Sequence, residues 1–167
     1  MIKNLLFAIT LTVTINSFAG DTTNIQVHDH TDMTWNGNYD EWGVFPDGSK
    51  TYRKIYLHYT MGCASSGCSD WDYTTKIEVL HRTGQLDTSL NEIIESYELA
   101  RVITPYGSGL NNNWEFTHIF DVTDFASILQ DSVEIRAHYG GWSSGFSATL
   151  DFEFIEGTPP RNVTSLQ

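Results

Sequence analysis

The sequence is poor in basic residues and in long apolar segments. Only 9 Lys and Arg stand against 21 Asp and Glu, which gives a formal net charge of −12. Nucleic acids and acidic lipid surfaces carry phosphates that such a chain repels, so neither is an expected partner. We interpret the acidity as the solubilising charge of an exported protein. Repeats, low-complexity tracts and long amphipathic helices are also missing from the sequence.

The one apolar run, residues 5–13, follows Lys3 near the N-terminus. It is shorter than the about 20 residues that a membrane span needs, which argues against a membrane anchor. Ser17 and Ala19 place small residues at the two positions that determine signal-peptide cleavage. We therefore predict a signal peptide over residues 1–19 and a secreted or periplasmic protein with no membrane partner.

The two cysteines, Cys63 and Cys68, are separated by small residues and glycine. Behind an export signal they would reach an oxidising compartment, so we predict a disulfide between them. A zinc site is the weaker alternative, because no Cys or His pair stands at partner spacing. Closing so short a loop removes little entropy from the unfolded chain, so the bridge would mainly add rigidity. Asp70, Trp71 and Asp72 would then be held in fixed positions, as a site requires.

Aromatic, β-branched and turn residues dominate the rest of the chain, and apolar residues alternate in short segments. Such alternation, bounded by turn signals such as Asn36-Gly37, is typical of strands. We predict strands over residues 23–30, 41–45, 52–61, 73–82, 97–104, 114–120, 133–139 and 146–155. Their number and spacing predict an all-β fold, an antiparallel eight-stranded jelly-roll sandwich. One short helical turn, capped by Thr123 or Asp124, is expected before the seventh strand.

Two segments carry no strand pattern. Residues 83–95 are predicted to form a loop, and the turn residues at 157–160 indicate a domain boundary. We therefore predict one domain over residues 20–160, a length that supports a hydrophobic core. Residues 161–167 are polar and too short to fold alone, and we interpret them as a tail or as the start of a second domain.

The five tryptophans divide into two groups. A sugar ring packs its C–H face on an exposed indole, and carboxylates or amides orient its hydroxyls. Trp71 and Trp142 lie at strand ends in Gly- and Ser-rich stretches, which favours a sugar-binding platform. We expect Trp35, Trp42 and Trp114 to pack in the core with their indole N–H groups satisfied.

Four segments occur in the order and at similar spacings found in one enzyme family. They are Cys63…Cys68-Ser69-Asp70-Trp71-Asp72, Arg101-Val102-Ile103-Thr104-Pro105-Tyr106, Asp121-Val122-Thr123-Asp124-Phe125, and Asp151-Phe152-Glu153-Phe154 with Gly157-Thr158-Pro159. Over about residues 50–160 the chain resembles the N-terminal jelly-roll domain of the bacterial peptide-N-glycosidase F family. These amidases remove N-linked glycans from asparagine. The resemblance implies an N-linked glycan or glycoprotein as partner and no cofactor.

The resemblance implies that Asp72 is the principal catalytic carboxylate. Hydrolysis needs a carboxylate that activates water, with further acids to assist the leaving group. A structural role is the alternative, in which Asp70 or Asp72 accepts backbone N–H bonds within the loop. Trp142 matches a substrate-contacting tryptophan, and Asp70, Trp71 and Tyr73 are the expected substrate contacts beside Asp72.

Three departures from the family argue against an active enzyme. Tyr73 stands where the family has a basic residue after the catalytic aspartate, and Gly140 replaces a second functional acid two residues before Trp142. The family's remaining acid lies on a second jelly-roll domain, for which this sequence has no residues. Glu134 and Asp70 are candidate substitutes for the missing carboxylates. We therefore expect little or no amidase activity from this chain by itself.

A non-catalytic glycan- or glycoprotein-binding module is therefore the alternative to half of an amidase. A third candidate, a copper oxidoreductase half, depends on His28-Asp29-His30, whose two imidazoles would share one face of a strand. With further ligands among Met33, Met61, His58 and His138, this set resembles the copper sites of peptidylglycine hydroxylating monooxygenase. Two exposed histidines on a strand are the ordinary interpretation, so we predict no metal site.

Overall fold

The computed structural model describes residues 20–166, so the predicted signal peptide lies outside the described residues. Eight strands account for most of the chain. They are β1 (Thr22–Met33), β2 (Gly37–Val44), β3 (Tyr52–Cys63), β4 (Thr74–Leu86), β5 (Glu92–Ile103), β6 (Glu115–Asp121), β7 (Ser132–Tyr139) and β8 (Phe146–Glu156). A 3-10 turn, Thr123–Phe125, connects β6 to β7. Within residues 20–166, no helix has the length and apolar character of a membrane span.

The strands form two four-stranded antiparallel sheets. One sheet has the order β1-β8-β3-β6 and the other has the order β2-β7-β4-β5. Each sheet therefore alternates strands from the two ends of the chain, which is the arrangement of a jelly roll. The predicted all-β eight-stranded sandwich is confirmed.

The core lies between the two sheets and follows the period of two in the strands. Strand β3 buries Ile55, Leu57 and Tyr59 completely, and strand β8 does the same with Phe152 and Phe154. The register places Leu57 opposite Phe152 and Ile55 opposite Phe154. Burying one such side chain contributes about 1.5–3 kcal/mol, so this facing pair of strands is a main source of stability.

The hairpin between β4 and β5 is longer than predicted. Residues 83–95 were expected to form a loop, but β4 continues to Leu86 and β5 begins at Glu92, so the prediction is wrong. This extension is exposed on both faces. Its side chains therefore show no apolar alternation, which is the signal from which strands are predicted. Arg82 joins the two strands by donating to Glu92 over 2.9 Å.

His28 and His30 do not share a face, contrary to the prediction. The register between β1 and β8 shifts between His28 and Thr31, and His30 has φ of 49°. His28 is fully buried, whereas the His30 side chain is exposed. An irregularity of this kind re-aims side chains, and an alternating pattern in the sequence does not reveal it.

The helical turn and the tryptophans also differ from expectation. The N-cap of the 3-10 turn is Val122, and neither Thr123 nor Asp124 caps it with a side chain. Of the three tryptophans expected in the core, Trp114 packs against it, but Trp35 is 54% exposed and Trp42 is 52% exposed. The core prediction is therefore wrong for Trp35 and Trp42.

Four loops meet at one end of the sandwich, because the strands run antiparallel. The loops are residues 34–36, 64–73, 104–114 and 140–145, and we call them together the loop end. The register confirms this grouping, since Phe146 at the start of β8 pairs with both Met33 and Cys63 at the ends of β1 and β3. The segments predicted to carry the site therefore reach one surface.

Candidate functional site: the loop end

The 64–73 loop begins with the predicted disulfide, which is confirmed between Cys63 and Cys68. Gly67 inside the bridge has φ of 96°, a conformation that side-chain-bearing residues rarely adopt. Asp32, near the end of β1, fixes the loop from outside. Its two carboxylate oxygens accept the Ser65 N–H at 3.0 and 3.1 Å. The loop is therefore held both by a covalent bond and by a neighbouring strand.

Ser69 is the point where three of the loops meet, and it is buried. Its carbonyl accepts the Gly107 N–H at 2.8 Å, and its hydroxyl accepts the Trp71 N–H at 3.2 Å. Gly145 approaches so closely that a Cβ there would lie 2.0 Å from the Ser69 nitrogen. Only glycine permits this contact between backbones, which explains the Gly- and Ser-rich composition of these loops.

The loop that carries Trp142 is tied to the disulfide loop through Ser143. The Ser143 hydroxyl lies 2.8 Å from that of Ser69 and 3.2 Å from that of Tyr73. Its carbonyl accepts the hydroxyl of Tyr139 at 2.8 Å. Tyr73 also packs edge-on against Tyr139, with ring centroids 5.5 Å apart. These bonds fix the backbone beside Trp142 relative to Tyr73, the residue that follows Asp72.

The acidic residues of this loop are accessible. Asp70, Trp71 and Asp72 are all exposed, whereas Tyr73 is half-buried beneath them. Tyr106, from the 104–114 loop, stands beside Asp72: hydrogen bonding to that carboxylate and its negative charge raise the pKa of the Tyr106 phenol. Asp72 therefore presents its carboxylate at the surface beside a phenol hydroxyl, and both groups can form hydrogen bonds with a polar ligand.

The loop end also brings together residues that sequence reasoning did not assign to a site. Trp35, predicted for the core, packs edge-on against Trp142 with ring centroids 5.7 Å apart and planes at 87°. Its position in a short turn with Asn36-Gly37 was the available signal, because a turn residue seldom points into a sandwich. Tyr106 belongs to a segment of the family resemblance, but its nearness to Asp72 could not be read from the sequence.

Other places in the molecule are weaker candidates. Among residues 20–166, no group of three or more His, Cys, Asp and Glu is arranged to hold a metal ion. Both imidazole nitrogens of His28 have protein partners, the Thr31 hydroxyl and the Ile135 carbonyl, each at 3.1 Å. A cavity of about 260 Å³ at the opposite end is lined by Lys50, Asp124, Arg161 and others, but its charged side chains are held in ion pairs, Lys50 with Glu156 and Arg161 with Asp124. The copper alternative depends on two imidazoles that share one face, and His28 and His30 face apart.

The chain is similar to a curated enzyme over most of its length. It is 27% identical over 157 residues to peptide-N(4)-(N-acetyl-beta-D-glucosaminyl)asparagine amidase F of Elizabethkingia miricola, a match that covers 91% of this chain and 42% of the relative. The chain thus spans less than half the length of that enzyme. No protein-family model matches the chain.

Solved structures give the same result. PNGase F, a glycosylasparaginase from Flavobacterium meningosepticum, superposes with a TM-score of 0.62 at 26% identity, covering 84% of this chain and 43% of that one. PNGF-II has a TM-score of 0.62 at 14% identity, covers 85% of this chain and 35% of that one, and supports the fold alone. Over most of its length, the chain is therefore similar in sequence and in fold to the N-terminal domain of peptide-N-glycosidase F, and is peptide-N-glycosidase F-like.

Proposed function

We propose that this chain is the glycan-facing N-terminal half of an N-glycan-processing amidase, and that its loop end contacts the N-linked glycan of a glycoprotein. In this proposal Asp72 is the principal carboxylate, and Asp70, Trp71, Tyr73 and Trp142 contact the substrate. The amidase named among its relatives suggests the substrate class.

The single observation that carries the proposal is the exposure of Asp72 on a loop that is braced on several sides. Trp71 and Trp142 are exposed on the same surface, and Ser143 links their loops by hydrogen bonds. An indole offers a flat apolar surface to the C–H face of a sugar, and a carboxylate accepts its hydroxyl or amide protons. Rigid placement lowers the entropy that such a site loses on binding.

Two positions argue that the catalytic set is incomplete in this chain. Gly140 occupies the position where the resemblance implies an acid, and Tyr73 occupies that of a basic residue. The Gly140 N–H donates to the Thr74 carbonyl at 2.9 Å, which keeps this backbone close to the start of β4. The further acids for leaving-group assistance would then come from a second domain, which we propose as a partner of residues 20–160.

The test uses the purified mature chain and an N-glycopeptide, with the unglycosylated peptide as control. We expect binding of the glycopeptide only, measured by calorimetry. Amidase turnover would release the glycan and leave aspartate in place of the glycosylated asparagine. The product peptide would be about 1 Da heavier than the unglycosylated asparagine peptide, and we expect little or none of this product. If the wild-type chain does not distinguish the two peptides, the proposal is wrong.

A glycan-binding module without catalytic function is the second candidate, and Gly140 in place of an acid favours it. The two candidates differ in what Asp72 does. In a pure binding module, Trp142→Ala abolishes binding and Asp72→Asn leaves it unchanged. In an amidase half, Asp72→Asn also weakens binding or removes residual turnover, because the carboxylate contacts the scissile region.

We also propose that the protein is exported and that residues 1–19 direct the export. The Cys63–Cys68 disulfide fits an oxidising extracellular compartment. N-terminal sequencing of the exported protein is expected to begin at Gly20. A mature protein that retains residues 1–19 would contradict this.

A further inference from the structure

Trp35 and Trp142 form a corner at the loop end. Their rings are nearly perpendicular, at 87°, with centroids 5.7 Å apart. Trp35 is 54% exposed and Trp142 is 62% exposed, so each ring keeps a large surface open to solvent. Two perpendicular apolar walls can touch two sides of one small molecule, whereas a single ring can touch only one.

The turn that carries Trp35 is held by a single hydroxyl group. The Tyr39 oxygen accepts the N–H of Thr34 at 2.8 Å and that of Trp35 at 3.1 Å. The same hydroxyl donates to the Trp35 carbonyl at 3.0 Å. The ring of Tyr39 packs against the core. Tyr39 therefore anchors the exposed turn to the rigid body of the sandwich, although the turn itself has only three residues.

The Trp142 wall is fixed in a comparable way. A Cβ on the preceding Gly141 would lie 2.1 Å from the Tyr139 ring, so this backbone is packed directly on an aromatic side chain. Ser143 and Ser144 on the other side bond to Ser69 and Ser66 of the disulfide loop, each over 2.8 Å. Both walls of the corner are thus preorganised, a condition for selective binding of a small ligand.

We propose that the corner formed by Trp35 and Trp142 is a subsite for one pyranose ring of the glycan, with Tyr39 as the residue that positions Trp35. The inference rests on the proposed function and adds to it a second wall and a positioning residue. One indole stacks on the C–H face of the sugar, and the other limits its position sideways. The corner takes a neutral hexopyranose or N-acetylhexosamine, because its walls carry no charge.

Trp42 supplies a matched control. It is 52% exposed, close to the value for Trp35, but it lies near the opposite end of the sandwich in β2. Arg82 stands over its ring, 5.5 Å from the centroid, so one face of this indole is already occupied. Replacement of Trp42 removes a similar exposed surface without touching the corner.

The experiment titrates the mature chain with N,N′-diacetylchitobiose, the core disaccharide of N-glycans, and with the glycopeptide used above. We expect Trp35→Ala to raise the dissociation constant about tenfold, the scale of removing a central aromatic contact. Trp42→Ala is expected to leave it unchanged. Unfolding midpoints of both variants should stay near that of the wild type, because both side chains are largely exposed.

Tyr39→Phe keeps the packed ring and removes only the hydroxyl. We expect it to raise the dissociation constant about threefold in the wild-type background and to have no effect in the Trp35→Ala background. An equal effect in both backgrounds would assign Tyr39 a purely structural role and contradict its positioning role.

The outcomes separate this inference from the proposed function. If Trp142→Ala weakens binding and Trp35→Ala does not, the corner is wrong and the proposed function stands. If Trp35→Ala and Trp42→Ala weaken binding equally, the effect is unspecific and the corner is also wrong. If the wild-type chain binds neither ligand, both the proposed function and the corner fail.

Discussion

A cluster of acidic residues at one end of the sandwich has cationic partners, and a pair of aspartates at the other end does not. At the end opposite the loop end, Glu156 pairs with Lys50, Asp121 pairs with Lys54, and Asp124 pairs with Arg161. At the loop end, Asp70 and Asp72 are exposed, and no Lys, Arg or His of residues 20–166 lies within salt-bridge distance of either. A carboxylate with an internal cation has its charge compensated, whereas an uncompensated one keeps its oxygens available to a ligand.

The two ends also differ in how they are held together. The opposite end uses ion pairs between long side chains at the surface, and such pairs each contribute little to stability. The loop end uses short contacts between backbones, serine hydroxyls and a disulfide, which leave little freedom to the residues they connect. Rigidity and uncompensated carboxylate charge therefore occur together at the loop end, and a binding surface requires both.

The largest expected effect tests the tight packing of the loop end. In Gly145→Ala the new Cβ would meet the Ser69 backbone nitrogen at 2.0 Å, and backbone cannot move aside without shifting the disulfide loop. We expect a loss of about 3 kcal/mol in the free energy of unfolding, the upper end of overpacking costs, measured by urea denaturation.

Gly48→Ala is the control at the opposite end. Its Cβ would meet the Gln130 side-chain oxygen at 2.7 Å, and a flexible side chain can rotate away. The expected loss is below about 1 kcal/mol. Equal losses in the two variants would show that the loop end is no more tightly packed than the other end.

The second effect concerns His28, which lies between the two ends and joins the sheets through its bond to the Ile135 carbonyl in β7. Burial lowers its pKa below 6.5, against smaller opposing contributions from that bond and from Glu41 and Asp40. The unfolded chain therefore binds a proton more readily than the folded one. The contribution of neutral His28 to the free energy of unfolding is fully present above about pH 6.5. It decreases as the pH drops toward the folded-state pKa, by up to about 1.4 kcal/mol per pH unit.

The measurement is urea denaturation between pH 5 and 7.5 for the wild type and for His28→Gln. The amide of glutamine can still donate to Ile135 but does not titrate in this range, so we expect a smaller slope. Part of the slope will remain, because burial also lowers the pKa of His118 and His138. A wild-type slope in His28→Gln would contradict the assignment to His28.

The smallest effect compares one acid from each end. Asp124→Asn breaks the contact in which Arg161 donates to Asp124 from both Nε, at 2.8 Å, and a second nitrogen. We expect a loss below about 1 kcal/mol, since the pair is exposed, and no change in glycopeptide binding. Asp72→Asn should leave the unfolding free energy unchanged and alter only the interaction with the glycan. A stability loss in Asp72→Asn would favour the loop-capping role of this carboxylate.

The sequence predicted the strands well where one face of a strand is buried and the other is not. In β3 and β8 the apolar residues alternate, because only every second side chain reaches the core. The extended β4–β5 hairpin was missed for the converse reason, since both of its faces meet solvent. Trp35 was predicted for the core because an indole is usually buried, although its place in a short turn with Asn36-Gly37 indicated an exposed side chain.

The sequence by itself determined the all-β sandwich and the Cys63–Cys68 pair, because strand period and cysteine spacing are local properties of the chain. The candidate site around Asp72 came from the family resemblance and stays a prediction. Only the tertiary structure decided that Trp35 stands beside Trp142, that Tyr106 stands beside Asp72, and that His28 and His30 face apart. Each of these depends on residues far apart in the sequence or on an irregularity in strand pairing. Such contacts arise when antiparallel strands bring four separate loops to one end.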